Sequence, residues 1–255
     1  MPKQVSGATL ETEKSIFARG FTQIAGIDEV GRGSLAGPVS VGVAVVSAEH
    51  SLVIEGLIDS KALSAKVRQD MAPQIREWAK TAVGHTQPGE IDVLGMTLAL
   101  RLAAQRAMAQ VVAAGARPDF VLLDGKHDWL TSPEPDLLGA LDDKEQLYQQ
   151  LLADAWKGRS PYDLPVQTVI KGDFICASIA AASVVAKVER DTLMDQLHTQ
   201  YPQYEWNKNK GYGSSVHRAS LDESGPTVLH RLSWNLGVTP EQLHTAHINR
   251  AKLGL

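Results

Sequence analysis

One cysteine, Cys176, stands in 255 residues, so no internal disulfide is available and a reducing compartment is expected. No apolar run reaches the roughly 20 residues that a membrane-spanning helix needs. The opening stretch MPKQVSGATLETEKS lacks the apolar core of a secretory signal. A cytoplasmic protein without membrane association is therefore expected. An excess of base is also missing: the formal net charge is −4, which taken alone argues against a phosphate-rich partner. That charge is unevenly spread. Between Asp128 and Asp154 seven acids accompany one base, Lys144, a local −6 that leaves +2 for the rest of the chain. No internal repeat is present. What remains is an ordinary globular composition, 44% hydrophobic and 21% charged, in a chain long enough to bury a sizeable core.

The stretch Gln23 to Val46, QIAGIDEVGRGSLAGPVSVGVAVV, organises the rest. Gln23–Asp28 and Pro38–Val46 read as buried strands, an antiparallel pair joined by a glycine-rich turn. A helix follows, with Ser64 as N-cap, Val67, Met71, Ile75 and Trp78 at helical spacing, and Pro73 marking a kink or a second start. Next come a strand near Thr81–Gln87, a long helix from Glu90 to Ala114 ended by Gly115, and a short strand, Asp119–Asp124. Residues 126–165, rich in proline and acid, read as an insertion with an amphipathic helix over Leu137–Trp156. Val166–Ile170 is a further strand, and Phe174–Gln200 a long helix of small residues suited to close packing. Beyond Tyr201 the chain is loop-rich, then helical near Ser214–Glu223 and Pro240–Ala251. The sum is an α/β fold, a mixed central sheet flanked by helices with a helical C-terminal part.

Three apolar runs deliver acids at their ends: Asp28 with Glu29, then Asp124, then Asp173. Strand ends on one edge of a sheet converge, so these carboxylates can meet. Adjacent acids on a regular strand point to opposite faces, so shared use of Asp28 and Glu29 predicts that the strand stops being regular at Glu29. Carboxylates are hard ligands for Mg²⁺ or Mn²⁺, and a pair of such ions is the usual device for phosphodiester cleavage. The turn Gly31-Arg32-Gly33 offers backbone N–H groups to phosphate oxygens. Other readings stay open: Asp173 also fits a helix N-cap, Asp124 a turn residue, and the acid pair a solvated strand end. In the tail, Lys208, Lys210, His217 and Arg218 surround Gly211-Tyr212-Gly213, a basic loop presenting a ring that can stack on a base or sugar. In Asp59-Ser60-Lys61 the lysine could meet a phosphate, or the trio could be an Asx-type turn. Cys176 reads as packing.

From Ile24 to Ser233 the chain resembles bacterial ribonuclease HII. The pieces that carry the likeness are IAGIDEVGRGSLAGPVSVGVAVV, DSKALS, VLLDG, IKGDFICASIAAASVVAKVERD, NKGYG with His217, and HRLSW. The resemblance implies a ribonuclease H-like fold and endonucleolytic cleavage of RNA in RNA–DNA hybrids. It further implies incision 5′ to single ribonucleotides in duplex DNA, leaving 3′-hydroxyl and 5′-phosphate ends. The family's four catalytic acids fall on Asp28, Glu29, Asp124 and Asp173, which would bind two Mg²⁺ or Mn²⁺ ions. Its ribose-sensing turn falls on Gly31, Arg32 and Gly33, and its junction-sensing tyrosine on Tyr212. Lys61, Ser183 and Lys187 match polar positions assigned to phosphate contact. The implied organisation is a lead-in (1–20), a catalytic domain (21–200) carrying the 126–165 insertion, and a substrate-binding part (201–255). A monomer acting on hybrid duplexes and ribonucleotide-containing DNA is expected. The gap from Asp124 to Asp173 exceeds that of compact family members, which makes Asp191 a rival fourth acid; the insertion's charge suggests that it stays clear of nucleic acid. Ribonuclease HIII is the related alternative, disfavoured by the short lead-in. A non-catalytic hybrid-binding protein is the alternative from another class, and the tail carries no convincing clamp-binding motif.

Overall fold

The protein is described by a computed structural model covering residues 7–51, 53–132, 142–161 and 163–254. Among these residues five strands form one mixed sheet in the order β3-β2-β1-β4-β5. Strand β1 (Gln23–Val30) pairs antiparallel with β2 (Val39–Ser47), which pairs antiparallel with β3 (Lys80–Thr86). On its other side β1 runs parallel to β4 (Phe120–Asp124), and β4 parallel to β5 (Val166–Val169). The strands are rich in Val, Ile and Ala because both faces of the sheet are covered.

One face packs on α6 (Ala177–Gln200), with α1 (Glu11–Phe17) and α2 (Ala65–Trp78) beside it, around Ile24, Ala44, Leu122 and Ile179. The small residues of α6 do what their size suggests. A Cβ added to Gly26 would lie 2.3 Å from the Ser178 carbonyl carbon, and one on Gly42 would lie 2.3 Å from the Ala182 carbonyl oxygen. Helix and sheet backbones touch there. The opposite face packs on α3 (Pro88–Ala113) around Ile27, Val41, Val43, Val121 and Leu123. Helix α4 (Asp143–Trp156) covers α3 and buries Tyr148 and Trp156. A third cluster joins Leu35, Ala36 and Met194 to Tyr204, Trp206, Leu221 and Leu236. It knits α7 (Trp206–Asn209), α8 (Ser215–Ser224) and α9 (Pro240–Lys252) to the end of α6.

Several sequence expectations need correcting. Strand β1 stays regular through Glu29: Glu29 faces Val41 and Val30 faces Ser40. Convergence of its two acids has another cause, because pairing with β4 ends at Ile27 opposite Leu123, leaving the β1 edge open beyond that point. Pro73 neither kinks nor restarts α2. It lies on the exposed face, where water can take the Gln69 carbonyl that Pro73 leaves unbonded. The long helix α3 is interrupted at Gly95, whose φ of 75° no helix accommodates. The helix expected from Phe174 is two: a four-residue α5 (Gly172–Ile175), then α6 after an extended Cys176. Within the described part of the lead-in, α1 buries Ile16 and Glu13. Of the helix expected over Leu137–Trp156, Leu137–Leu141 lies outside the described residues and the remainder begins at Asp143.

Candidate active site

The site begins where parallel β1 and β4 end side by side. Asp28 turns toward α6, as its neighbour Gly26 does, and is only 5% exposed. The Ser183 hydroxyl bonds to Asp28 and shares a 2.9 Å contact with the Ser60 hydroxyl. Ser183 is itself buried, so it supports Asp28 instead of facing a phosphate as expected. Asp124 closes β4 and binds the returning chain: its Oδ1 accepts the Gly172 N–H at 2.8 Å and the Asp173 N–H at 3.4 Å. This fixes Asp173 against Asp124. Asp173 is inside α5, and the N-cap positions of α5 and α6 are Lys171 and Cys176, so the N-cap alternative for Asp173 does not hold. Glu29 pairs with Arg32 at 3.3 Å.

Burial, above all, raises Asp28 well above the ordinary carboxylate range; Asp124 and Glu29 add repulsion, while Ser183 and Lys61 oppose it. Burial also raises Glu29, with Arg32 pulling back and Asp124 pushing further. Asp173 is pushed up to about 6 by burial, then by Asp124 and by Asp59. Such mutual repulsion is what a cluster of unpaired carboxylates produces. Lys61 answers it. Burial works against its charge, but Asp28, Asp59, Asp173 and Asp124 outweigh that and raise it. Its loop is held by Asp59, whose Oδ1 accepts the Lys61 N–H, and by Arg68, which donates to the Ser60 and Leu63 carbonyls at 2.8 and 2.6 Å. The Asx-type turn and the placement of a cation beside the acids are thus one feature.

All four donor side chains are carboxylates, suited to Mg²⁺ or Mn²⁺, and the repulsion among them is what a divalent cation relieves. The residues therefore fit such ions by chemistry. Among the described residues no three His, Cys, Asp or Glu side chains stand grouped to hold an ion between them, so the acids share a field without a closed coordination shell. Asp191, the rival, is committed elsewhere: it pairs with Lys187 at 2.7 Å and Arg68 at 3.7 Å. That pairing also occupies Lys187. A cavity of about 370 Å³ lies on the α3 side of the sheet, lined by Ile27, Met108, Val121, Tyr148 and others but by none of the four acids.

The second half of the site is the exposed pair Arg32 and Gly33 with Tyr212, which is 40% exposed. A Cβ on Gly33 would lie 3.9 Å from the tyrosine ring, and Leu35 donates its N–H to the Gly211 carbonyl at 2.8 Å. The basic loop expected around Tyr212 is mostly neutralised. Lys208 pairs with Glu205 and Lys210 with Asp195. His217 is fully buried, and burial lowers its pKa. Its Nδ1–H donates to the Tyr212 carbonyl at 2.9 Å, and its Nε2 meets His230 Nε2 at 3.0 Å. Burial first, then His217, pushes His230 down to about 3, so the pair is neutral.

Sequence reading missed Asp59 as a neighbour of Asp173, and it missed the buried Arg190 and Arg231. A signal existed for one of them: Arg190 continues the row Ser183, Ala186 on the packed face of α6. Glu13, buried in α1 and accepting the Ser178 N–H and hydroxyl at 2.9 and 2.7 Å, carried no signal at all. Cys176 is buried, and burial pushes its thiol up to about 12, in keeping with a packing role. Among the described residues no helix is long and apolar enough to cross a membrane.

The family model for ribonuclease HII matches residues 25–236. The chain belongs to the ribonuclease HII family. It is accordingly an endoribonuclease of that family, and the ribonuclease HIII alternative gives way. Ribonuclease HII of Streptomyces avermitilis is 45% identical over 239 residues, covering 92% of this chain and 88% of that protein. Among solved structures, the PCNA:RNase HII complex from Archaeoglobus fulgidus contains a chain 25% identical, with a TM-score of 0.58, covering 84% of this chain and 95% of that one. Bst-RNase HIII, solved in complex with Mn²⁺, is 20% identical with a TM-score of 0.62, covering 88% of this chain and 70% of that one; this likeness is one of fold. This ribonuclease HII family member thus has the ribonuclease H-like fold, with Asp28, Glu29 and Asp124 toward the carboxyl ends of neighbouring parallel strands and Asp173 in the short helix after β5.

Proposed function

We propose that this family member hydrolyses the phosphodiester on the 5′ side of ribonucleotides, in RNA–DNA hybrids and at single ribonucleotides in duplex DNA, leaving 3′-hydroxyl and 5′-phosphate ends. The observation that carries the reading is the meeting of Asp28, Glu29, Asp124 and Asp173 in one field with Lys61, beside the exposed Gly33 and Tyr212. The four acids would hold two Mg²⁺ or Mn²⁺ ions, which when bound supply an activated water and stabilise the departing 3′ oxygen. Lys61 brings a positive charge to the acids and to an incoming phosphate. Ser183 orients Asp28. The backbone of Gly31, Arg32 and Gly33 meets the ribose, whose 2′-hydroxyl is what distinguishes RNA from DNA. Tyr212 stacks on the deoxyribose that follows. The acidic α4, on the far side of α3, stays off the duplex. The protein acts as a monomer in the cytoplasm.

The test is a labelled DNA duplex with one ribonucleotide, incubated with Mg²⁺, Mn²⁺ or chelator, beside an Asp124→Asn protein. A metal-dependent nick 5′ to the ribonucleotide, lost in the variant, is the expected result. Cleavage of long hybrids alone would remove the junction-reading role of Tyr212. Equal binding with and without metal, with no cleavage of either substrate, would point to a hybrid-binding protein.

A further inference from the structure

Two guanidinium groups lie fully buried beneath the turn and the tyrosine loop. Arg190, from α6, donates through Nε to the Pro38 carbonyl, through Nη1 to the Lys210 carbonyl and through Nη2 to Ser34 Oγ, each at 2.9 Å. Arg231 donates through Nη2 to the Gly31 carbonyl at 2.6 Å and through Nη1 to the Arg32 carbonyl at 2.7 Å, and reaches the Gly37 carbonyl at 3.3 Å. Among the described residues neither arginine makes an ion pair; their partners are carbonyl and hydroxyl oxygens. Two neighbouring cations buried without a direct ion pair cost stability, and the charges of Asp191 near Arg190 and Asp92 near Arg231 offset only part of it. What they secure is the shape of two loops.

The oxygens they hold belong to both halves of the ribose-reading site: Gly31, Arg32, Gly37 and Pro38 on one side, Lys210 on the other. Arg190 also lies 5.8 Å from the centre of the Tyr212 ring. The turn rests directly on it, since a Cβ at Gly31 would come within 2.1 Å of Arg190 Nε. With the Gly31 and Arg32 carbonyls drawn inward, the N–H groups of Arg32 and Gly33 carry no hydrogen bond among the described residues, and both residues are exposed. Free N–H groups at a tight turn form an acceptor-binding concavity.

We infer that Arg190 and Arg231 are positioning residues for ribose selection, a paired lock that holds the Gly31-Arg32-Gly33 turn and the Tyr212 loop in one preset geometry before substrate arrives. The inference rests on the ribose-reading role proposed above. Presetting matters because ordering two loops at binding would consume the small free-energy difference one hydroxyl supplies. Arginine is required because its planar fork spans several carbonyls at once, whereas a lysine ammonium is a point charge.

The experiment compares wild type with Arg190→Lys, Arg231→Lys and Ser34→Ala. Three quantities are measured: KM and kcat on a duplex with one ribonucleotide, and Ki for the same duplex made entirely of DNA as competitive inhibitor. The Ki/KM ratio reports recognition of the 2′-hydroxyl. In the lysine variants KM is expected to rise roughly tenfold, the equivalent of one lost hydrogen bond to a charged group, with Ki within about twofold of wild type. Merely structural damage would lower kcat through a smaller active fraction and leave the ratio alone. A folded lysine variant with the wild-type ratio overturns the lock. Should both lysine variants fail to fold, Ser34→Ala decides, because it removes a single acceptor from Arg190. A ratio reduced about twofold to threefold supports the lock and an unchanged ratio overturns it. A wild-type ratio of one overturns the ribose-reading role and the lock with it, which separates that failure from failure of the lock alone.

Discussion

Asp28 is a carboxyl group kept from water, so the fold favours its protonated form in the absence of a cation. A carboxyl group whose pKa is raised on folding contributes stability that is present at low pH and lost as pH rises through the folded value. Asp173 behaves the same way, its contribution being lost once pH has risen through about 6. The chelated protein is therefore expected to lose thermal stability as pH rises from about 4, where free carboxyl groups titrate, through about 6. Asp28→Asn should melt higher than wild type in chelator at pH 7.5 and fall less over that range. Its cleavage rate should drop roughly 100-fold or more, since even outer-shell partners of a metal ligand cost 10–100-fold. Scanning calorimetry with and without chelator, beside a cleavage assay, checks both. An Asn variant that melts below wild type at pH 7.5 would contradict the account. Most of the acid cluster at this scale was legible, since Asp28 with Glu29, Asp124 and Asp173 each follow an apolar run. Asp59 was not: nothing in its local sequence says that it sits against Asp173.

Single elements carry the site through their packing. Helix α6 delivers Ser183 to Asp28 and Arg190 to the turn, and it can do so only because Gly26 and Gly42 let it press on the sheet backbone. Gly42→Ala would set a methyl group 2.3 Å from the Ala182 carbonyl oxygen, an atom that cannot move without the helix. The expected cost is about 3 kcal/mol of stability, the upper range for overpacking. The lifted helix should also lower activity by withdrawing Ser183. Urea denaturation measures the first effect, and a variant within about 0.5 kcal/mol of wild type, the range of neutral surface changes, would contradict the close contact. The small-residue run made tight packing of α6 predictable from sequence. The break at Cys176 was hidden, because Phe174 and Ile175 continue the same apolar run and nothing local marks the change of backbone direction.

At the scale of the whole molecule, the C-terminal helices are pinned across the fold by one acid. Asp92 on α3 accepts the Leu232 N–H at 2.7 Å, the Ser233 N–H and hydroxyl at 3.0 and 2.6 Å, and Arg250 at 2.5 Å. Arg250 in turn holds the Val228 carbonyl, and the same segment carries His230 and Arg231. Asp92→Ala takes the paired carboxylate from the buried Arg250, which keeps only carbonyl partners, and leaves the Leu232 and Ser233 donors unpaired, so it should cost about 3 kcal/mol or more. The segment beyond Leu229 should then become sensitive to protease before the sheet unfolds, and digestion mapped by mass spectrometry reads this directly. Equal resistance of both parts would show that the pin matters little.

What the sequence determined by itself is what local pattern controls: the strands, their order along the chain, the acids that end them, the caps at Ser64 and Gly115, and the family likeness that longer motifs carried. Tertiary structure alone decided which groups face one another. It turned His217 from an expected surface base into a buried neutral partner of His230, paired off Lys187 with Asp191, and set Arg190 and Arg231 under a turn that precedes them by over 150 residues. The physical reason is that burial and pairing depend on neighbours brought in from distant sequence, while backbone preference and strand-end position depend on the residues at hand.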